Sequence, residues 1–408
     1  MPITREAEGR PVQPLAMTAT CIASSLGAGR SATLSALQQG TSGLRPCQFE
    51  TVDLPTYVGE VAGLDAVRLG PELSRFDCRN NRLVRLALAQ DGFEAAIDAA
   101  KARYGVARIG VFLGTSTSGI LQAEQAYRRR DPVSGQLPSD FNYAATQSTF
   151  SIADFVMTMF GLCGPGYVVS SACASTTKVF ATAARMIESG FCDAAIVGGA
   201  DSLCLTTLYG FNALQLLAEG PCRPFDAERG GLSIGEAAGF ALLERPDNAP
   251  DATLHVLGIG ESSDAYHMSA PHPQGAGARL SMVRALASAS LASEAIDYIN
   301  LHGTATRIGD AAEDQAIVSL FGEATPCSST KGHTGHTLGA SGIVEAVISA
   351  LAITEGFLPG SPHTKARDPS LRSQYVATAR PGAVRRVLSN SFGFGGTNAS
   401  IVLKHVDA

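Results

Sequence analysis

The chain has 408 residues, 31 basic against 37 acidic, with a formal net charge of −6; that is about two or three times the usual domain size, so one large or two fused domains are expected. No block of like charges exceeds the Arg128-Arg129-Arg130 triplet, which argues against a nucleic-acid surface, and no run reaches the roughly 18 apolar residues of a membrane span. Nine cysteines without a Cys-x-x-Cys, and a polar opening segment with no secretory core, predict reduced thiols in a cytoplasm rather than a disulfide framework, zinc ribbon or thioredoxin site.

In chain order, 12–24 reads as a strand, 32–38 as a helix closed by Gly40, and 82–103 as one long helical pattern. Ile109–Leu113 is a buried strand, followed by the Gly114–Gly119 loop and a stretch in which only the polar, Pro-containing tract 131–140 stands out. From Tyr167 the rhythm sharpens. Val168 and Val169 end a strand, and a helix runs over 174–189 with apolar residues at three- and four-residue spacing. Ala194–Gly198 is the next strand, and 205–235, with two prolines and two adjacent glycines, reads as a long loop. Ala237–Leu243 and Leu254–Ile259 are strands expected to pair as neighbours. Beyond them come a helix over 277–292, a strand over Tyr298–Leu301, a helix over Ala311–Phe321 and a strand ending at Ser328–Lys331. An apolar helix, Ile343–Thr354, and strands at Val387–Ser389 and Ala399–Leu403 complete the pattern. This alternation predicts an α/β fold with mostly parallel strands. Strand, ionisable residue and buried helix recur near 167–189 and 326–354, as two similar halves would require.

Cys173 lies where a strand stops and a helix begins, so the unpaired N–H groups and helix dipole are expected to lower its thiol pKa. Three other segments end apolar strands in polar groups and glycines: Asn300-Leu-His302-Gly-Thr304-Ala-Thr306, Lys331-Gly-His333-Thr-Gly-His336 and Phe392-Gly-Phe394-Gly-Gly396-Thr-Asn398. A cysteine with histidines far away in sequence is the pattern of a thiol nucleophile and its partners.

Taken in order and spacing, these segments, with Arg223-Pro-Phe-Asp226 and Asp264-Ala-Tyr-His-Met268, resemble the elongating β-ketoacyl-acyl-carrier-protein synthases of the thiolase superfamily. The resemblance implies a layered α-β-α-β-α fold of two thiolase-like halves, 1–245 with the nucleophile and 246–408 with both catalytic histidines. It also implies that Cys173 accepts an acyl group as a thioester, and that His302 and His336 promote decarboxylation of a malonyl group and hold the enolate. Lys331 is then a fixed positive charge and Glu313 its counterpart in a buried network. The N–H groups of Cys173 and Phe394 match the family's oxyanion hole, Thr304 and Thr306 its pantetheine contacts, and Phe394 its gating aromatic. Ala123 falls near the wall of the acyl pocket. The implied partners are an acyl carrier protein, which delivers substrates on phosphopantetheine with no further cofactor, and a second subunit, identical or homologous like a chain-length factor. Arg75, Arg79, Arg82 and Arg85, and Arg128, Arg129 and Arg130, are the candidate docking clusters for an acidic carrier protein; a solvated helix face is the plainer reading of each.

Plainer readings stand beside the others. His333 and His336 could be a metal pair but have no third ligand nearby, so no metal is expected. Gly258-Ile-Gly260 lacks the third glycine of a dinucleotide loop. The remaining cysteines read as packing. Where relatives end the first strand in a Thr-Gly-x-Gly turn, this chain has Thr18-Ala-Thr-Cys21, and Lys178 stands where several relatives carry histidine. The 131–140 tract and the segment before residue 12 also depart from housekeeping members and favour a dedicated pathway, such as aryl polyene or polyketide assembly, over primary fatty-acid synthesis. A non-catalytic chain-length-factor-like subunit is the alternative, and such subunits lack the cysteine.

Overall fold

A computed structural model describes residues 13–406. Its frame is a 12-stranded sheet. The first half supplies β1 (Leu15–Ser24), β2 (Ile109–Gly114), β3 (Gly166–Val169), β4 (Ala194–Asp201) and β5 (Ala237–Glu244). The second supplies β6 (Leu254–Ser263), β7 (Tyr298–Asn300), β8 (Pro326–Ser328), β10 (Arg386–Gly393) and β11 (Thr397–His405), with β9 (Gln374–Tyr375) beyond β8 at the edge. Across the sheet the order is β9-β8-β7-β10-β11-β6-β1-β5-β4-β2-β3, and Gly27–Ala28 pairs with the end of β1.

Each half has the same plan. In the first, β2 is parallel to β3 and β4, and β5 returns antiparallel between β4 and β1. In the second, β7 is parallel to β8 and β10, and β11 returns antiparallel between β10 and β6. The halves meet where β1 pairs antiparallel with β6, Leu15 opposite Val256.

Between the two half-sheets run α6 (Ser175–Glu188) and α11 (Ser341–Glu355). Val179, Phe180 and Ile187 of α6 share one core with Ile343, Val347 and Leu351 of α11 and with strand residues of both halves. The stretch Leu338–Glu355 is apolar enough to cross a membrane by composition, yet it is 89% buried inside the protein, so its hydropathy reflects a central core helix. A second core lies outside the first half under α2 (Arg79–Leu88), α3 (Phe93–Tyr104) and α5 (Ser151–Phe160). A third lies outside the second half under α8 (Ala276–Ser288) and α9 (Arg307–Phe321). Helix, sheet, helix, sheet, helix is the five-layer arrangement expected of a thiolase-like fold.

Several expectations need correction. The 82–103 pattern is two helices, because Asp91 and Gly92 take positive φ and break it. β5 and β6 are not neighbours, since β1 lies between them. The 205–235 tract contains a helix, α7 (Leu205–Ala213), which buries only Leu208 and so carries no apolar stripe. Thr18–Cys21 lies inside β1, and the glycine turn follows at Gly27 and Gly29, both at positive φ. Lys331 does not end a strand; it opens a short helix, α10 (Lys331–Thr334). The segment before residue 12 lies outside the described residues.

α6 and α11 approach closely at their N-termini. A Cβ on Gly342 would lie 2.0 Å from Thr177 Oγ1 and 2.7 Å from Thr177 N. Ile343 N donates to Thr176 Oγ1 at 3.0 Å, and that hydroxyl donates to Gly339 O at 2.6 Å. Gly342→Ala is therefore expected to cost about 1–3 kcal/mol, the range for overpacking, read as a lower midpoint in chemical denaturation. A wild-type midpoint would mean that the helices part at no cost.

Candidate active site

Both central helices begin at the site. The chain leaves β3, turns through Ala172 at a left-handed φ of 46° and reaches Cys173 two residues before α6. Ser175 Oγ donates to Ala172 O at 2.6 Å and accepts from Ser171 N at 2.8 Å, fixing that turn. Cys173 is 7% exposed. Its pKa is not lowered as expected from the helix start: burial pushes the thiol up to about 12, opposed by the Lys331 charge and by the N–H groups of Phe394 and of Cys173 itself. Desolvating a full charge outweighs the fractional charge of a helix terminus. The resting nucleophile is a thiol.

His336 precedes α11 as Cys173 precedes α6. Its backbone joins the other half, accepting from Gly235 N at 2.9 Å and donating to Ser233 O at 2.7 Å. Nε2 lies 3.0 Å from Cys173 Sγ and Nδ1 3.0 Å from Ser341 Oγ. His302 follows β7, with its ring centroid 5.3 Å from that of His336. Both imidazoles are held well below their ordinary pKa, first by burial and then by the Lys331 charge, so both are neutral. The Lys331 ammonium lies 3.5 Å from His302 Nδ1 and bonds to His302 O. An ammonium only donates, so the His302 ring proton is left on Nε2.

The counter-ion of Lys331 is Glu345 on α11, 2–3% exposed like the lysine itself. Glu313, expected in that role, instead accepts from the N–H groups of His302 at 2.8 Å and Gly303 at 2.7 Å. It shapes the turn that presents His302. Burial raises the pKa of both acids, Glu345 to about 7. Glu345, Ser341 and Asp201 were not foreseen. Asp201 accepts from the N–H groups of Ser116, Thr117 and Gly339. The signal for Glu345 was an acid in the middle of an apolar helix, which requires a partner.

A cavity of about 350 Å³ opens onto Cys173, His302 and His336. Thr304 and Thr306 line it with their hydroxyls 3.0 Å apart. Phe394 also lines it, and its ring lies 5.5 Å from that of Phe211, an α7 residue the sequence did not mark. Gly395 N donates to Met268 O at 2.7 Å and Asp264 N to Gly396 O at 2.8 Å, joining the 264–268 segment to this loop. Ala123 is half-buried on α4 (Ile120–Arg128) and is not part of the cavity wall, which Leu216, Leu232 and Phe392 make instead.

The sulfur and one nitrogen of each histidine lie within 4.8 Å of one another, a spacing that could ligate a metal, but the Lys331 charge beside both rings opposes a cation there. His333 is turned away, its Nδ1 2.7 Å from Thr41 O, so it makes no pair with His336. Of the seven arginines, Arg79 is corrected outright: its side chain is 6% exposed and is bound by Glu236, Glu60 and Asp65. Arg75, Arg82, Arg85, Arg128 and Arg129 pair with Asp154, Asp77, Glu94, Glu50 and Asp140. Arg130 donates to Tyr127 O at 3.2 Å.

A buried thiol 3.0 Å from one neutral imidazole and close to a second defines a site for acyl transfer through a thioester. The chain belongs to the β-ketoacyl synthase family: residues 14–249 match the model of the β-ketoacyl synthase N-terminal domain and 254–365 that of the C-terminal domain. It is 34% identical to 3-oxoacyl-[acyl-carrier-protein] synthase 2 of Vibrio cholerae over 91% of this chain and 94% of that protein. It is 33% identical to the Rhizobium meliloti protein of the same name over 95% and 98%. The match to the mitochondrial synthase of Arabidopsis thaliana, 38% identical, spans 59% of that protein. Among solved structures, the complex of the ketosynthase ApeO with its chain length factor ApeC from Xenorhabdus doucetiae superposes with a TM-score of 0.88 at 35% identity, over 100% of both chains. A β-ketoacyl synthase from Burkholderia phymatum gives 0.86 at 29%, over 97% of this chain and 100% of that one.

With a thiol pKa near 12 and neutral histidines that do not titrate in this range, the thiolate fraction of Cys173 rises with every unit of pH. Alkylation of Cys173 by iodoacetamide is expected to climb roughly tenfold per unit between about pH 7 and 9 with no plateau. A plateau with a midpoint below that range would reveal a resting thiolate.

Proposed function

We infer that the protein is a β-ketoacyl-acyl-carrier-protein synthase that loads an acyl group onto Cys173 and extends it with malonyl-carrier protein. The observation that carries this is Cys173 Sγ at 3.0 Å from His336 Nε2, with the His302 ring beside that of His336; the backbone N–H groups of Cys173 and Phe394 favour the charged sulfur. Cys173 attacks the incoming thioester; the new C–S bond forms, the bond to the pantetheine sulfur breaks, and the thiol proton passes through His336 to the departing thiolate. The two N–H groups hold the oxyanion.

The malonyl thioester then enters past Thr304 and Thr306. Its C–C bond to the carboxylate breaks, carbon dioxide leaves, and the electron pair moves into an enolate. The enolate oxygen receives the Nε2–H of His302 and that of His336, whose proton shifts to Nε2 once the thiol is acylated, Nδ1 then accepting from the Ser341 hydroxyl. Neutral imidazoles suit this role, since they donate without giving up their protons. The enolate carbon attacks the acyl-cysteine, a C–C bond forms, the C–S bond breaks, and the Cys173 thiolate takes one proton from solvent water by way of His336. No metal or cofactor of its own takes part; both substrates ride on phosphopantetheine.

We place this chemistry in the cytoplasm, consistent with nine free cysteines, and in a dedicated aryl polyene or polyketide-type pathway rather than primary fatty-acid synthesis. The exposed 131–140 tract and the likeness to the ApeO–ApeC complex support that choice. A second subunit, identical or homologous, has a ready seat: β3 is the open edge of the sheet, with Tyr167 53% and Phe150 46% exposed beside it. Carrier-protein docking moves to the cavity mouth. Arg307 and Ile308 are exposed there, and exposed Lys365 lines an adjoining groove with Arg223.

With malonyl-carrier protein and acyl primers supplied, wild-type protein is expected to release a β-ketoacyl product two carbons longer and Cys173→Ala none; extension by that variant would refute the mechanism. Arg307→Glu is expected to raise the KM for acyl-carrier protein roughly tenfold, the scale of one lost charge contact, with kcat retained. An unchanged KM would place docking elsewhere.

A further inference from the structure

Phe394 closes the cavity against one ring, that of Phe211, so the placing of α7 decides how tightly the site is covered. α7 is lightly packed: Leu205 and Phe211 lie only half-buried against the core that takes Leu208. Leu208 is its only buried residue, and its N-cap, Cys204, makes no side-chain capping bond. The free N–H groups at its start are taken by a carboxylate from another helix. Glu124 on α4 accepts from Leu205 N at 3.0 Å, from Thr206 N at 2.6 Å and from Thr206 Oγ1 at 2.5 Å. A carboxylate on unpaired N–H groups at a helix start gains from hydrogen bonds and dipole together.

The support behind Glu124 is firm. Gln122, two residues earlier on α4, accepts from the N–H of Arg79, whose guanidinium is locked on Glu236. Gln125 and Arg128 of the same helix reach Glu50 and Thr51, and Tyr209 of α7 touches the same loop through Thr51 O and Asp53 N. α4 is thus braced on the protein body, and its carboxylate carries that bracing to α7. We propose that Glu124 is a positioning residue for the gate: it holds α7 by its N-terminus and so keeps Phe211 against Phe394 over Cys173. The significance of a gate rests on the reading of Cys173 as the acyl acceptor, but the contact itself can be tested without turnover.

The measurement is the rate of Cys173 alkylation by iodoacetamide in the full-length protein, resolved from the other cysteines by peptide mass spectrometry, with a thermal melt of each variant. Glu124→Ala is expected to raise the rate roughly tenfold, the scale of one charge-assisted hydrogen bond. Glu124→Gln, which keeps one acceptor oxygen, should raise it less. Phe211→Ala should raise it too, and Glu124→Ala with Phe211→Ala no further than Phe211→Ala alone, because both act on one contact. A wild-type rate in Glu124→Ala, or independent multiplication in the double variant, overturns the proposal. If Glu124→Ala melts before it can be assayed, Glu124→Gln and Thr206→Val supply the same comparison. Loss of extension in wild type with these alkylation rates intact would count against the proposed function and leave the gate contact standing.

Discussion

The site depends on one contact, the crossing of α6 and α11 at their N-termini. Neither helix carries a catalytic group along its length; Cys173 and His336 stand just before their first turns. The 3.0 Å from sulfur to imidazole is therefore set by how closely two buried helices approach. That approach is possible only because Gly342 offers no Cβ to Thr177. The hydroxyl of Thr176 then bonds at once to the backbone before α11 and to its first turn. Packing decides the geometry, and hydrogen bonds keep it in register.

Charge is placed to keep the reacting groups neutral. Lys331 and Glu345 form a buried pair, and such pairs are costly to break from one side, about 3–5 kcal/mol. Here the lysine also lies against His302, and its field depresses both imidazoles while favouring the thiolate. Burial overrides it at the sulfur, so thiol and imidazole meet without forming an ion pair. A stored thiolate would be the better nucleophile at rest. A neutral pair suits a site that must give its proton to one leaving thiolate and then donate two N–H groups to an enolate.

Much of this was legible in the sequence, because the residues that do chemistry sit at strand ends in small, polar, glycine-bearing segments. The strands were legible as short apolar runs, but their order was not, even where a strand such as β5 is buried throughout. β1 lying between β5 and β6 could not be read, since pairing across more than 200 residues leaves no local trace. The partner of Lys331 was missed for a related reason: Glu313 lies in the more polar segment, but Glu345 faces the lysine. Arg79 was read as a surface charge because α2 is rich in arginine, and only tertiary burial separates it from Arg82 and Arg85. The segment 205–235 read as a loop because α7 fully buries one residue, Leu208, and so shows no apolar stripe.

The two halves also account for where the gate comes from. β4 and β5 of the first half correspond in order and direction to β10 and β11 of the second. Their connections therefore emerge at related places above the site. In the second half the connection is the short turn 394–396, and it carries Phe394. In the first it has grown to 202–236 and carries α7 with Phe211. The two aromatic rings that meet over Cys173 are thus offered by equivalent connections of unequal length. The short one is fixed by its flanking strands. The long one is anchored at its strands and where Ile234 and Gly235 pair with Val58 and Gly59, but α7 lies well before that pairing, and there the Glu124 carboxylate meets its first N–H groups.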